Sequence, residues 1–481
     1  MIFNKSKFFR NIFWLAASTA LSSGLNVIIN ILLARKLGVA TFGQWSLILA
    51  TTSWILVLRT AVGSELIRKA AQDSQYAKLV FCPALLVLIL GGSLLGGSNL
   101  LLNLVLVATN SILVPVMLAT LAFGAMAVAI IPIALFTGRD HMEWQLADGI
   151  QGLLLLIYLL VLSRRGLTIA SVAEAYLITC LVIAMLLMLM GMRLIRPALW
   201  RWTKAFMQEL LINTGLQFVI NWLYMLHLTL DLFFLQFLRG SVEVGEYNAA
   251  FKIVIVLRVL PLLVLMGVVP EISRRVAASD FAFVRRIWTA STRILLLIAG
   301  GFVVSILVLA SSIIPLAYTS QYDRAINVLM VLSISIFPLF LQSIIQSLLY
   351  AGGRYRDLIW GIGIGLLVQA TGDLFLISHF GPEGAALAFF MAECATLVCF
   401  AKFAVRAFGG PSVSVIGKAL ICSLAAFGMT LVGLRVHLPA ALLLGSVIIF
   451  YLVLSYYLGC ISMRDIQFGR SMLEEFFLDK V

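Results

Sequence analysis

The feature that most constrains this chain is a succession of apolar stretches, each about long enough to cross a bilayer. A helix needs roughly 20 predominantly apolar residues to span the hydrocarbon. Backbone amides in lipid are satisfied only inside helices or closed barrels. Cutting the 481 residues at charged or Gly/Pro-containing breaks predicts about fourteen helices. These are spans 1 to 14, at 8–34, 41–68, 79–105, 110–137, 143–163, 168–195, 207–238, 243–274, 285–317, 322–350, 356–379, 383–407, 413–435 and 438–462. Between spans 3 and 4 only Asn99, Asn103 and Asn110 punctuate the sequence. Composition agrees, since 62% of the residues are hydrophobic and 11% charged, against about 25% charged in soluble domains. Accessible surface grows too quickly with size for such an excess to hide in one core. The expected fold is an all-α integral membrane protein.

Lys and Arg alternate with the spans. If the N-terminus and every second loop share one side, 23 of them fall there and 7 on the other. Arg59, Lys252, Arg258 and Arg293 lie inside spans. The positive-inside rule then puts both termini in the cytoplasm. The net charge of +13 is thus a topology signal with anionic lipid headgroups as neighbours, and nucleic acid is not an expected partner. Lys5, Lys7 and Arg10 precede an apolar run reaching about residue 34. That exceeds the roughly 7–15 residues of a cleavable signal, so it is read as a retained first span. The six cysteines show no metal or redox spacing and read as packing residues.

The loops carry a repeat. Gly38-x4-Gly43-x-Trp45 after span 1 returns as Gly240-x4-Gly245-x-Tyr247 after span 7, an offset of 202 residues. Glu65 with Arg68-Lys69 returns as Glu271 with Arg274-Arg275 at an offset of 206, and Gly166 pairs with Gly381. Leu135-Phe-Thr-Gly138-Arg139 parallels Leu349-Tyr-Ala-Gly352-Gly353-Arg354. The glycines fit reversals where positive φ is often required. This order predicts a duplicated six-helix unit: residues 1–200 and 201–410 as two lobes, and 411–481 as two further spans with a tail. Repeats of even helix number share one orientation, and such transporters carry substrate between the halves.

Leu33-Ala34-Arg35-x-Leu37-Gly38-x4-Gly43-x-Trp45 resembles the first-loop signature of polysaccharide exporters and O-antigen flippases. Pro270-Glu271-Ile-Ser-Arg274 resembles the same family's signature at the end of span 8. The family belongs to the superfamily that also holds multidrug and toxin extrusion transporters and the lipid II flippase. The resemblance implies a V-shaped pair of lobes around a central cavity. It also implies a non-enzymatic flippase in a bacterial inner membrane that needs no cofactor. Its substrate would be a lipid-linked oligosaccharide, with other polysaccharide assembly proteins as further partners of a monomer.

Two sets of residues stand out. In span 7, Asn213, Gln217, Asn221, Tyr224, His227 and Asp231 fall within about 120° of one helical face at 100° per residue. Span 1 carries Ser18, Ser22, Asn26 and Asn30 similarly. Such stripes either line a water-filled cavity or hydrogen-bond helices together. Arg59, Lys252, Arg258 and Arg293 are costly in a bilayer and fit the diphosphate of a lipid carrier; alternatively each pairs with Asp148, Asp231, Asp373 or Glu393 or snorkels. His227 and Asp231, four residues apart, are candidates for sharing a coupling proton, and Asp148 is a third candidate for ion coupling. A drug exporter is the competing reading, but span 1 contains no acidic residue of the kind such transporters use. A membrane glycan polymerase would need a large outward loop, and none exceeds roughly a dozen residues.

Overall fold

The computed structural model describes residues 5–72, 81–107, 112–137, 141–195, 204–266, 268–436 and 438–460. Among these the backbone is helical almost throughout, with no strand. Thirteen of the described helices are long and apolar enough to cross a membrane, and a shorter apolar helix, Ala84–Leu100, stands where span 3 is expected. Asn110, Gly138-Arg139 and the tail beyond Cys460 lie outside the described residues. Leu94, Ile212, Phe237 and Leu316 are each more than 70% exposed. Apolar side chains displayed on this scale need lipid as their solvent.

The spans are not all straight. Span 2 is Val39–Thr52 and Trp54–Gln72, broken at Ser53, and span 7 is Lys204–His227 and Leu230–Leu238. Span 8, expected as one helix over 243–274, is three: Ser241–Val256, Val259–Met266 and Val269–Ala277. Irregular backbone at membrane depth survives only where protein or a wet cavity covers it, so these breaks point to the interior.

The repeated glycines meet in space. Gly38 and Gly240 take φ of 77° and 96° and start their helices. Those two helices, Val39–Thr52 and Ser241–Val256, then cross in close contact. A Cβ on Gly43 would overlap the carbonyl of Ser241, and one on Gly245 would overlap the carbonyl of Val39. Each glycine thus seats the other's helix. One turn further on, Asn248 Nδ2 donates to Ser46 Oγ at 2.6 Å, and these two positions are also 202 residues apart. Gly166 and Gly381 share positive φ, 89° and 64°. The acidic–basic pairs match as well, with Glu65 bonded to Arg68 and Glu271 to Arg274, each at 2.5 Å. Glu271 lies beyond the membrane-crossing stretch Ser241–Leu265, and there Arg274 and then Arg275 hold its carboxyl below the usual range.

Further bonds join spans 1, 8, 9, 10 and 12 at the end where the glycines lie. Tyr322 Oη donates to Ala34 O at 3.1 Å and Tyr318 Oη to Ala249 O at 3.0 Å. Arg35 Nε donates to Ala317 O at 2.8 Å, capping the last turn of the Phe281–Ala317 helix, where a cation is favoured. Arg324 lies 3.1 Å from both Glu243 and Glu383. On the other side of the glycine crossing, spans 2 and 7 meet again. Trp54 and Trp222 pack edge to face at 6.3 Å, and Ser64 Oγ donates to Gln217 Oε1 at 2.5 Å. Spans 13 and 14 pack against span 9 through Cys422, Ala426 and Tyr451.

Backbone cannot yield at the crossing as a flexible side chain can. Gly245→Ala is expected to cost about 1–3 kcal/mol and lower the thermal unfolding midpoint in detergent. Gly24→Ala, where nothing lies within 4 Å of the new Cβ, is expected to leave it unchanged or raise it. Equal midpoints for the two variants would remove the crossing as a structural constraint.

Candidate functional site

Between these two levels of contact lies a cavity of about 390 Å³. Its wall is drawn from spans 1, 2, 4, 5, 6, 7 and 8. Span 1 supplies Ser22 and Asn26; span 2 supplies Ser46, Ser53 and Arg59; span 5 supplies Asp148 and Gln151. Thr229 stands at the break in span 7, and Asn248 and Lys252 come from span 8. The two breaks, at Ser53 and beside Thr229, are therefore both at the cavity wall. Met225, Leu228 and Phe251 add apolar surface.

Two cations and one carboxylate set the field. Arg59 Nη2 donates to both Asp148 oxygens, at 2.7 and 2.9 Å. The Arg59 side chain is 12% exposed and that of Asp148 39%, so the carboxylate is the wetter partner. Arg59 Nε is buried and has no hydrogen-bond partner among the described residues. Lys252 makes no ion pair or hydrogen bond among the described residues. The lining thus holds one net positive charge, concentrated on Lys252.

The expected site residues separate into groups. Asn26, Arg59, Asp148 and Lys252 come together at the cavity. Asn30 is buried behind Asn26 and donates to its Oδ1 at 2.7 Å. The polar stripe of span 7 does not line the cavity: Gln217 bonds Ser64, and Tyr224 lies under Arg258, whose guanidinium sits 4.6 Å from the ring centre. Asn221 is half-buried, and the side chain of Asn213 lies outside the described residues. Arg258 and Arg293 are likewise absent from the lining. A cation over an aromatic face is stabilised in place, which accounts for Arg258.

His227 and Asp231 do not bond each other. His227 Nε2 is 3.2 Å from Glu393 Oε1, and Gln342 Nε2 donates to Glu393 Oε2 at 2.6 Å. Asp231 accepts from Tyr247 Oη and, at 2.5 Å, from Gln369 Nε2. Asp373, fully buried beside Asp231, meets no N–H or O–H donor among the described residues. Spans 7, 8, 10, 11 and 12 thus enclose a polar cluster behind the cavity wall. Four-residue spacing placed His227 and Asp231 on one face, but each found a nearer partner across a helix interface.

Ser46, Gln151, Thr229 and Asn248 line the cavity without having been singled out. Ser46 and Asn248 had a signal, since they occupy equivalent repeat positions next to Trp45 and Tyr247. Gln151 and Thr229 had none beyond polarity inside a span.

A helical membrane protein with a polar, cation-bearing cavity between its first six spans and the two that follow is the class defined here. Solved structures share the fold. A structure of the lipid II flippase MurJ in an inward closed conformation superposes with a TM-score of 0.71 at 14% identity, covering 91% of this chain and 97% of that one. An inward-facing multidrug resistance MATE family transporter of the MOP superfamily gives 0.68 at 15% identity, covering 81% and 94%. A point mutant of the Vibrio cholerae MATE transporter VcmN gives 0.62 at 15%, covering 83% and 98%. No curated protein sequence matches the chain. The profile of the polysaccharide biosynthesis protein family matches residues 8–276. The chain belongs to that family.

A lone ammonium in a partly desolvated wall costs stability, and structural need would have given it a carboxylate. Lys252→Met is therefore expected to leave the unfolding midpoint unchanged or raise it. Arg59→Met strands Asp148 and is expected to lower the midpoint by an amount matching about 1 kcal/mol, given the exposure of Asp148. A large drop on Lys252→Met would make Lys252 structural.

Proposed function

We propose that this protein moves a lipid diphosphate-linked oligosaccharide from the cytoplasmic to the periplasmic leaflet of a bacterial inner membrane, for surface polysaccharide synthesis. The observation carrying this reading is Lys252, a cation without an acidic partner among the described residues, in a polar cavity between the two sets of spans. A diphosphate supplies the missing anion. Arg59, whose Nε has no partner among the described residues, adds a second donor of the kind that suits phosphate oxygens. The hydroxyl and amide groups of Ser22, Asn26, Gln151 and Thr229 fit sugar hydroxyls. Family membership supports the same substrate class.

Alternating access follows from size. About 390 Å³ is the scale of a small-molecule pocket, so an oligosaccharide enters only if residues 1–200 and 201–410 rock apart as two lobes. Residues 411–481 then ride with the second lobe. Both termini lie in the cytoplasm in this reading, which the Lys and Arg bias of the loops supports. For ion coupling, the cluster of Asp231, Asp373, His227 and Glu393 is the better candidate, because Asp148 is committed to Arg59. Adjacent buried carboxylates need a proton or a cation between them.

The fold is shared with drug transporters, yet a positive cavity would repel cationic drugs. In cells, Arg59→Ala, Lys252→Met and Asp231→Asn are each expected to abolish surface glycan while the protein still reaches the membrane. Deletion is expected to leave sensitivity to cationic drugs unchanged. Normal glycan in the Arg59 and Lys252 variants, or a drug-sensitive deletion strain, would overturn the assignment.

A further inference from the structure

A second basic site lies apart from the cavity, where span 9 begins. Arg285, Arg286, Thr289 and Arg293 fall on one stripe of the Phe281–Ala317 helix, at i, i+1, i+4 and i+8. They face the Gly410-Pro411-Ser412 linker that leads into span 13. Together they wall a pocket of about 560 Å³. The two walls are fastened to each other: Ser412 N donates to Thr289 Oγ1 at 3.0 Å, and Arg285 Nη1 to Phe408 O at 3.4 Å. Gly409, with φ of 78°, lets the linker lie against Arg285, where a Cβ would stand 2.9 Å from Nη1.

No carboxylate lines this pocket. Arg285 and Arg286 make no ion pair among the described residues. Guanidinium groups on one stripe, spread over about 12 Å of helix, repel one another, and the adjacent Arg285 and Arg286 call for an anion. The pocket borders lipid-facing surface, with Val413 81% and Ile294 40% exposed. An anion held here therefore has apolar protein beside it.

We propose that this pocket binds the phosphodiester headgroup of an anionic phospholipid, its acyl chains lying along spans 9 and 13. Guanidinium forks suit phosphate oxygens, and basic pockets between membrane helices hold such headgroups. The apolar border favours a lipid over free phosphate. Bound lipid ties span 9 to the linker before span 13, and so fixes the terminal pair of spans to the rest of the bundle. None of these residues belongs to the central cavity, so the proposal stands whatever the transported substrate is.

The test is thermal unfolding of the full chain in neutral detergent, with phosphatidylglycerol, phosphatidylcholine or inorganic phosphate added. Mass action predicts that a bound ligand raises the midpoint. Phosphatidylglycerol is expected to raise it by several degrees, and the other two to leave it in place. The shift is expected to vanish in the Arg285→Gln/Arg286→Gln variant. It is also expected to vanish in Gly410→Glu, which keeps the arginines and puts a carboxylate at the pocket mouth. An undiminished phosphatidylglycerol shift in whichever variant folds would overturn the site. An equal shift with inorganic phosphate would overturn the lipid as its occupant.

Discussion

The crossing of two short helices at Gly43 and Gly245 is the constraint on which the rest of the structure depends. Helices approach this closely only where neither carries a side chain at the contact, a common solution in lipid, where apolar burial gives no net drive to associate. Here the two glycines come from equivalent places in a repeated sequence, so one local solution, used twice, makes a self-complementary joint. The Asn248–Ser46 bond, at the same offset, adds a polar contact worth up to about 2 kcal/mol in a membrane interior. With that joint closed, and with Trp54–Trp222 and Ser64–Gln217 on the far side, the space between is left as the cavity.

Charge inside the spans follows the same logic. Arg258 is stabilised by the Tyr224 ring, His227 by Glu393, and Arg59 by Asp148. Each is explained by a partner. Among the described residues Lys252 has no counter-charge, and Asp373 faces only another carboxyl, that of Asp231; ionisable groups inside a membrane are costly. Lys252 faces the cavity and Asp373 lies in the cluster behind it. The cavity cation and the buried polar cluster are thus separate yet share spans 7 and 8, and under the proposed function that connection lets one bias the other.

Much of the architecture was legible in the sequence because lipid makes the rules strict. Unsatisfied backbone in hydrocarbon costs several kcal/mol per group, so span length is enforced, and the glycine motifs mark the positions that meet at the crossing. The site was less legible. Periodicity said which residues of span 7 share a face, but not which neighbour that face meets. Gln217 and Tyr224 turned to spans 2 and 8 instead of water. The break at Leu228–Thr229 also shifts the register between the Lys204–His227 and Leu230–Leu238 helices, so a single 100° wheel could not describe both. Ser46 and Asn248 were visible in principle, since the repeat offset that aligned the glycines aligns them too.

If residues 1–200 and 201–410 rock apart as proposed, the joint at Gly43 and Gly245 has to open for substrate to cross. The most direct measurement links the two sides of that joint. Ser46→Cys and Asn248→Cys, in a background without the six native cysteines, place two thiols where a 2.6 Å hydrogen bond now stands. The protein is reconstituted in vesicles with a fluorescent lipid diphosphate-linked glycan, and translocation is followed before and after oxidation. Translocation that stops on linking and returns on reduction is the result expected. Undiminished translocation by fully linked protein would contradict the account.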